Sequence, residues 1–412
     1  MPRNAQIIGW GKALPSRVMT NDELSQIVDT SDEWIRTRTG IRARRIAGPR
    51  ETTASLAEQA AHAAIETADV HPAHIDLVIV CTFSPEFGGM PSVASLVQDA
   101  IGAEHAGAFD LNAACAGFMY GLTIAQSMIV SGQCDTVLLI GSETLSRLLD
   151  WSDRSTCILF GDGAGAMVIQ ATEERSGILS SVLGSDGSGA ELLAIPAGGS
   201  RLPASPQTIV DRQHYIQMNG REVYKFAVNV MGNVAKEALA RAGLSADDVA
   251  LFIPHQANLR IIESAARSLG VPADRVFVNV GNYGNTSAAS IPIALCEAID
   301  EGLVKTDDRL VFVGFGGGLA WGASVIQWGV PATVHRRGLR LLWHGMWYSW
   351  ARVRSVARRI ARKVDAIFLD GTWSRNGHSG DMTARPGRDG RPTDHLLDEP
   401  KDQANTLDRQ RQ

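Results

Sequence analysis

The sequence predicts an α/β layered protein, and two observations carry that prediction. Short apolar runs rich in Val and Ile alternate with helical patterns along residues 1–330. The alternation also repeats itself, as a duplicated α/β unit would. The strand candidates are 77–81, 136–140, 166–169, 249–253, 309–313 and 323–327, all short and apolar as strands buried on both faces are. Residues 64–80 resemble 238–254: a helix end, a short turn, then a buried strand. Residues 112–122 resemble 284–295, each a small-residue loop opening an apolar helix, and 160–166 resemble 315–321. Three matches in one order divide the chain into an N-terminal half, 1–175, and a C-terminal half, 176–330.

The first half carries the residue that gives the chain its chemistry. Cys115 sits in Ala113-Ala114-Cys115-Ala116-Gly117, a run with almost no side-chain volume, so backbone and substrate can approach closely. The apolar stretch 118–130 follows, placing the thiol at a helix start, where the positive end of the helix favours a thiolate. A lone cysteine among alanines is ordinarily a small buried hydrophobe. Two motifs in the second half shift that balance: His255 in Pro254-His255-Gln256-Ala257-Asn258 and Asn285 in Gly284-Asn285-Thr286-Ser287. Each follows a strand-like run, 249–253 and 276–280, at a junction where functional residues concentrate. A site between the two halves is a natural ligand pocket.

Composition bounds the rest. Hydrophobic residues make up 45% and charged residues 20% of 412, ordinary values for a soluble enzyme. No run approaches a membrane span, and no secretory signal opens the chain. Five scattered cysteines without metal-type spacing argue for a reducing cytoplasm and against disulfides or zinc. The Gly161-Asp162-Gly163-Ala164-Gly165 run lacks the Lys-Ser/Thr ending of a phosphate loop and reads as a tight turn between strands. Charge is unevenly spread. Residues 331–412 hold sixteen Lys/Arg against nine Asp/Glu, leaving 23 against 35 in the body, out of 39 and 44 in all. The body is therefore acidic, and no nucleic-acid partner is expected. In 340–364, Trp343, Met346, Trp347, Trp350, Val353, Ala357, Ile360 and Val364 recur at helical spacing, with basic residues on other faces. Such a basic amphipathic helix suits an anionic membrane surface, or equally a dock on the body. It belongs to an extension over 331–370. Residues 371–412, rich in Gly, Pro, Asp and Arg, are predicted to be a disordered tail.

Together the motifs around Cys115, His255 and Asn285, the Phe315-Gly316-Gly317-Gly318 loop, and Thr30-Ser31-Asp32-Glu33-Trp34-Ile35 followed by Arg38-Thr39-Gly40-Ile41 resemble the β-ketoacyl-acyl carrier protein synthase III family. The resemblance spans about residues 5–329. It implies the thiolase fold, an α-β-α-β-α sandwich of two like halves, and a homodimer. It also implies no cofactor beyond the substrates acyl-coenzyme A and malonyl-acyl carrier protein. Cys115 would take the acyl group as a thioester, and His255 and Asn285 would stabilise the enolate made by decarboxylating the malonyl group. The backbone N–H groups of Cys115 and Gly317 would form the oxyanion hole. Asn285 stands where elongating relatives carry histidine and some acyl transferases carry aspartate, which favours decarboxylative condensation. Thr30, Trp34, Arg38, Arg154 and Asn258 match coenzyme A-binding positions, with Trp34 to stack on adenine and the arginines to meet phosphates. Met90 stands where straight-chain enzymes close the acyl pocket with an aromatic, so it implies a longer or branched primer. Other readings are a related condensing enzyme of secondary metabolism, a papain-like cysteine hydrolase, which the duplication disfavours, and a binding scaffold whose Cys115 resists thiol reagents.

Overall fold

The computed structural model describes residues 3–330 and 353–363. Two sheets carry the architecture. In the first, the strands run in spatial order Asn4–Ala13, Gly163–Thr172, Thr136–Glu143, Leu77–Cys81, Gly107–Leu111. Leu77–Cys81 pairs in parallel with both of its neighbours, and the Gly163–Thr172 strand is antiparallel on either side. The second sheet runs Leu251–Pro254, Arg309–Gly316, Ala320–Gln327, Gly177–Ser185, with one parallel and two antiparallel pairings. Four strands of each sheet thus follow one pattern. The fifth strand of the first sheet survives in the second as a single parallel bridge between Phe252 and Val276. The strand expected at 276–280 is therefore not formed; its chain turns at Asn279 into the short helix Val280–Tyr283.

Period-two alternation sorts each strand's side chains onto two cores. Val137 and Leu139 join the central core, and Leu138 and Ile140 the outer one. Leu310 and Phe312 likewise face the centre, while Val311 and Val313 face outward. Helices Gly117–Val130 and Ser290–Asp300 lie between the sheets and supply Phe118, Leu122, Ile291 and Leu295 to the centre. Buried from both sides, they are apolar nearly all round. Thr53–Ala68 and Val93–Ile101 cover the outside of the first sheet, and Gly220–Arg241 and Leu259–Leu269 the outside of the second. This is the five-layered thiolase fold.

The run Gly161–Gly165 is not a turn between strands. It leads into Gly163–Thr172 and lies against the second half: Gly161 N–H donates to the Asn285 carbonyl at 3.0 Å, and Asn285 N–H to the Leu159 carbonyl at 2.8 Å. A Cβ on Gly161 would meet the Tyr283 carbonyl at 2.2 Å, so only glycine allows this approach.

The chain divides into two compact units, 1–358 and 359–412. Most of the extension and all of 371–412 lie outside the described residues. Residues 353–363 are helical. Ser355 is buried and hydrogen-bonded to Asp99, Arg354 pairs with Glu104 at 2.6 Å, and Arg358 reaches Asp99 at 3.1 Å and Glu104 at 3.0 Å.

Candidate active site

Cys115 lies in the one-turn 3-10 helix Ala114–Ala116, immediately before helix Gly117–Val130. It is buried, and burial outweighs everything else acting on the thiol, pushing its pKa up to about 12 although Ser287 and Asn285 pull it down. In the resting enzyme the group is a thiol whose proton must leave as the reaction proceeds.

His255 follows strand Leu251–Pro254 and is 1% exposed. Its Nδ1 lies 2.6 Å from Ser290 Oγ, and that oxygen already accepts the Gln256 N–H at 3.4 Å. A Ser290 hydroxyl that donates to Nδ1 goes with the tautomer that carries its proton on Nε2. Nε2 is buried without a partner. Burial also drives the imidazole down to about 3, so the ring is neutral at physiological pH. Asn285 is prepared the same way. Its Oδ1 accepts the Ser287 N–H at 2.8 Å, which leaves the Nδ2 donors to face Cys115. Both side chains have their acceptor side tied to protein and present a neutral donor to the site, the arrangement that stabilises a developing oxyanion.

Two residues that the sequence reading passed over build this geometry. Gln256 donates to the carbonyls of Pro254 at 2.8 Å and Phe277 at 3.1 Å, and accepts the N–H groups of Asn279 at 2.9 Å and Val280 at 3.1 Å. Ser290 is the hydrogen-bond partner of His255 Nδ1. A polar residue opening the otherwise apolar run 290–296 is the signal that could have found it.

Cys115 borders two cavities. One of about 610 Å³ contains Phe83, Ile195, Ile216, Leu319 and Gly317. Another of about 190 Å³ holds His255, Asn285 and Asn258. A Cβ on Gly316 would lie 2.6 Å from Cys115 N, so the glycine loop passes directly over the nucleophile's amide. The expected coenzyme A residues cluster in part. Trp34 has the Arg38 guanidinium over its ring at 4.3 Å and that of Arg154 at 5.2 Å. Asn258 caps helix Leu259–Leu269 and donates to the Arg38 carbonyl at 3.2 Å. Thr30 Oγ1 is buried without a partner. Met90 is 87% exposed on the loop before helix Val93–Ile101 and lines neither of these cavities within the chain. Among the described residues, no group of three His, Cys, Asp or Glu could hold a metal.

Comparison with known proteins places this geometry. Residues 109–187 match the family model for 3-oxoacyl-[acyl-carrier-protein] synthase III, and 239–328 match the model for its C-terminal part. The β-ketoacyl-[acyl-carrier-protein] synthase III of Symbiobacterium thermophilum is 54% identical over 327 residues, covering 79% of this chain and 99% of the relative. That of Clostridioides difficile is 50% identical over 328 residues, covering 80% and 99%. The crystal structure of 3-oxoacyl-[acyl-carrier-protein] synthase III from Aquifex aeolicus superposes with TM-score 0.73 at 49% identity, over 79% of this chain and all of that one. The priming β-ketosynthase of the R1128 polyketide pathway superposes with TM-score 0.74 at 38% identity, over 79% and 97%. The chain therefore belongs to the β-ketoacyl-acyl carrier protein synthase III family of condensing acyltransferases.

Proposed function

We propose that Cys115 accepts an acyl group from acyl-coenzyme A and passes it to malonyl-acyl carrier protein, with carbon dioxide lost from the malonyl group. The observation that carries this reading is the pair of neutral donors, His255 Nε2 and Asn285 Nδ2, facing a single thiol between two cavities. The acyl chain occupies the larger, mainly apolar cavity, whose volume accommodates more than an acetyl group. The malonyl thioester enters beside His255 and Asn285, and its carbonyl oxygen takes both donors as the enolate forms. Coenzyme A binds over Trp34, Arg38 and Arg154, the arginines meeting its phosphates. The backbone N–H groups of Cys115 and Gly317 receive the oxyanion of acyl transfer. No cofactor takes part. Incubating the protein with an acyl-coenzyme A panel and mapping the added acyl mass tests this. Label on the Cys115 peptide supports it, and label that survives Cys115→Ala refutes it.

A second reading places the same condensation in secondary metabolism, and the 38% identity to a polyketide priming enzyme favours keeping it open. The primer that loads fastest decides between them.

The protein works as a homodimer in the cytoplasm. Strand Gly107–Leu111 is an unpaired sheet edge with Phe109 37% exposed, and the nearby loop exposes Phe87 and Met90. A second copy pairing along that edge would cover these side chains. Sedimentation at micromolar concentration tests the dimer. Val353, Val356 and Ile360 of the helix at 353–363 are exposed, and these apolar residues are the basis for peripheral contact with an anionic membrane.

A further inference from the structure

The desolvated Cys115 thiol needs a proton acceptor, and the residues that present donors to the substrate do not supply one. Burial holds the His255 imidazole neutral and makes it a very weak base. Asn285 cannot accept a proton at all. Behind the thiol lies a carboxyl that the reading above leaves unused. Glu143, at the end of strand Thr136–Glu143, is completely buried. Its Oε2 accepts the Ser84 hydroxyl, the Thr82 hydroxyl at 3.0 Å and the Ser84 N–H at 3.1 Å, and the Phe83 N–H is shared between Oε2 at 3.3 Å and Oε1 at 3.4 Å. Ser287 stands between this carboxyl and the thiol. Its hydroxyl is buried with no completed hydrogen bond at rest, yet it lies near enough to pull down the pKa of both Cys115 and Glu143. Ser287 has φ +50°, a left-handed backbone that non-glycine residues seldom adopt, in the turn that follows Asn285.

We propose that Glu143, acting through the Ser287 hydroxyl, takes the Cys115 thiol proton during acylation and returns it to the thiolate released in condensation. On acylation the Cys115 S–H bond breaks and its proton passes to Ser287 Oγ, while the Ser287 proton passes to the Glu143 carboxylate. Sulfur bonds to the acyl carbon. The bond from that carbon to coenzyme A breaks, and the coenzyme A thiolate takes a proton from water. In condensation the malonyl group loses carbon dioxide, and its enolate carbon bonds to the acyl carbon. The bond to Cys115 breaks, and the thiolate recovers the proton along the same route, leaving Glu143 ionised.

The electrostatics suit the task. Burial raises Glu143 to about 7, so near neutral pH it can both accept and hold a proton. The titratable groups facing it are Cys115 and, from strand Leu77–Cys81, Cys81, whose burial keeps it a thiol. Its remaining partners are hydroxyls and backbone N–H groups. Glu143 is a positioning residue for the proton, since it reaches the reacting sulfur only through Ser287.

The inference rests on Cys115 being the acylated residue, and one experiment separates the two ideas. Single-turnover loading from an acyl-coenzyme A is followed by intact mass between pH 5.5 and 9 for the full-length protein, Glu143→Gln and Ser287→Ala. The unsubstituted enzyme should load faster as pH rises through about 7. Both variants should lose that inflection and load about 10²-fold more slowly at pH 8. A merely structural role would slow loading without removing the inflection. If Glu143→Gln does not fold, Ser287→Ala, which deletes one hydroxyl, decides alone. An inflection that persists in the folded variants overturns the relay while leaving Cys115 in place; acyl mass on another residue overturns both.

Discussion

Replacing Gly316 by alanine should disable acyl transfer while leaving the fold intact. A Cβ at this position would stand 2.6 Å from Cys115 N, 3.0 Å from Ala116 N and 3.1 Å from Cys115 Cα. All three are backbone atoms and cannot rotate aside. Ordinary contact begins at 3.4 Å, so the strand end or the nucleophile turn must move by about 0.8 Å. Misplacing reacting groups by about 1 Å costs on the order of 10²-fold in rate, or about 2.7 kcal/mol of barrier. The methyl group also crowds the amide offered to the oxyanion. Gly314 is the control. Its Cβ would meet the side chains of Met119 at 3.3 Å and Ile291 at 3.5 Å, which can yield. Acyl loading of Cys115 by mass spectrometry, alongside a melting curve, should show Gly316→Ala about 10²-fold slow and Gly314→Ala within about tenfold of the unsubstituted protein. Equal rates in the two variants would refute the reasoning.

Four further outcomes are expected. His255→Ala and Asn285→Ala should retain acyl loading but release carbon dioxide from malonyl-acyl carrier protein roughly 10²–10³-fold more slowly, and normal release would remove both from the donor role. Gln256→Ala strands two buried N–H groups and two carbonyls and should lower unfolding free energy by about 2–4 kcal/mol in urea titrations. Glu143 ionises near 4.5 when unfolded but only at about 7 when folded. Its charge therefore opposes folding, and stability should fall by about 3 kcal/mol as pH rises from 4.5 through 7, a loss that Glu143→Gln removes from the urea midpoint. Deleting residues 331–412 should leave condensation within about tenfold and abolish salt-sensitive binding to anionic vesicles; full-length protein that ignores such vesicles at low salt would leave only the docked role for this helix.

The layered fold was legible because its central strands are apolar on both faces, as in Leu77–Cys81, which matches the sequence reading residue for residue. Strands of mixed character escaped notice. Asn4–Ala13 holds Gly9, Gly11 and Lys12 and shifts register between Ile7 and Gly9. Gly177–Ser185 carries Ser180, whose hydroxyl is absorbed by the Ala238 carbonyl at 2.7 Å. In the site, the three motif residues were legible because their chemistry is local to their motifs. The tautomer of His255 and the orientation of Asn285 were not, since each depends on a neighbour fixed only by folding. The helix start before Cys115 is visible in sequence, whereas the depth at which the thiol is buried is not.

The two turns that open the central helices share more than a sequence pattern. Each contains a non-glycine residue in left-handed conformation, Ala114 at φ +47° and Ser287 at φ +50°, followed at once by the residue that enters the helix dipole. In the first turn that next residue is Cys115; in the second it is Ala288. The chain thus holds two copies of one costly backbone shape, each costing of order 1–3 kcal/mol, and only one copy bears a nucleophile. The other holds the support instead, with Asn285 on its approach and a hydroxyl at its bend, so the two halves divide attack and stabilisation between one repeated shape.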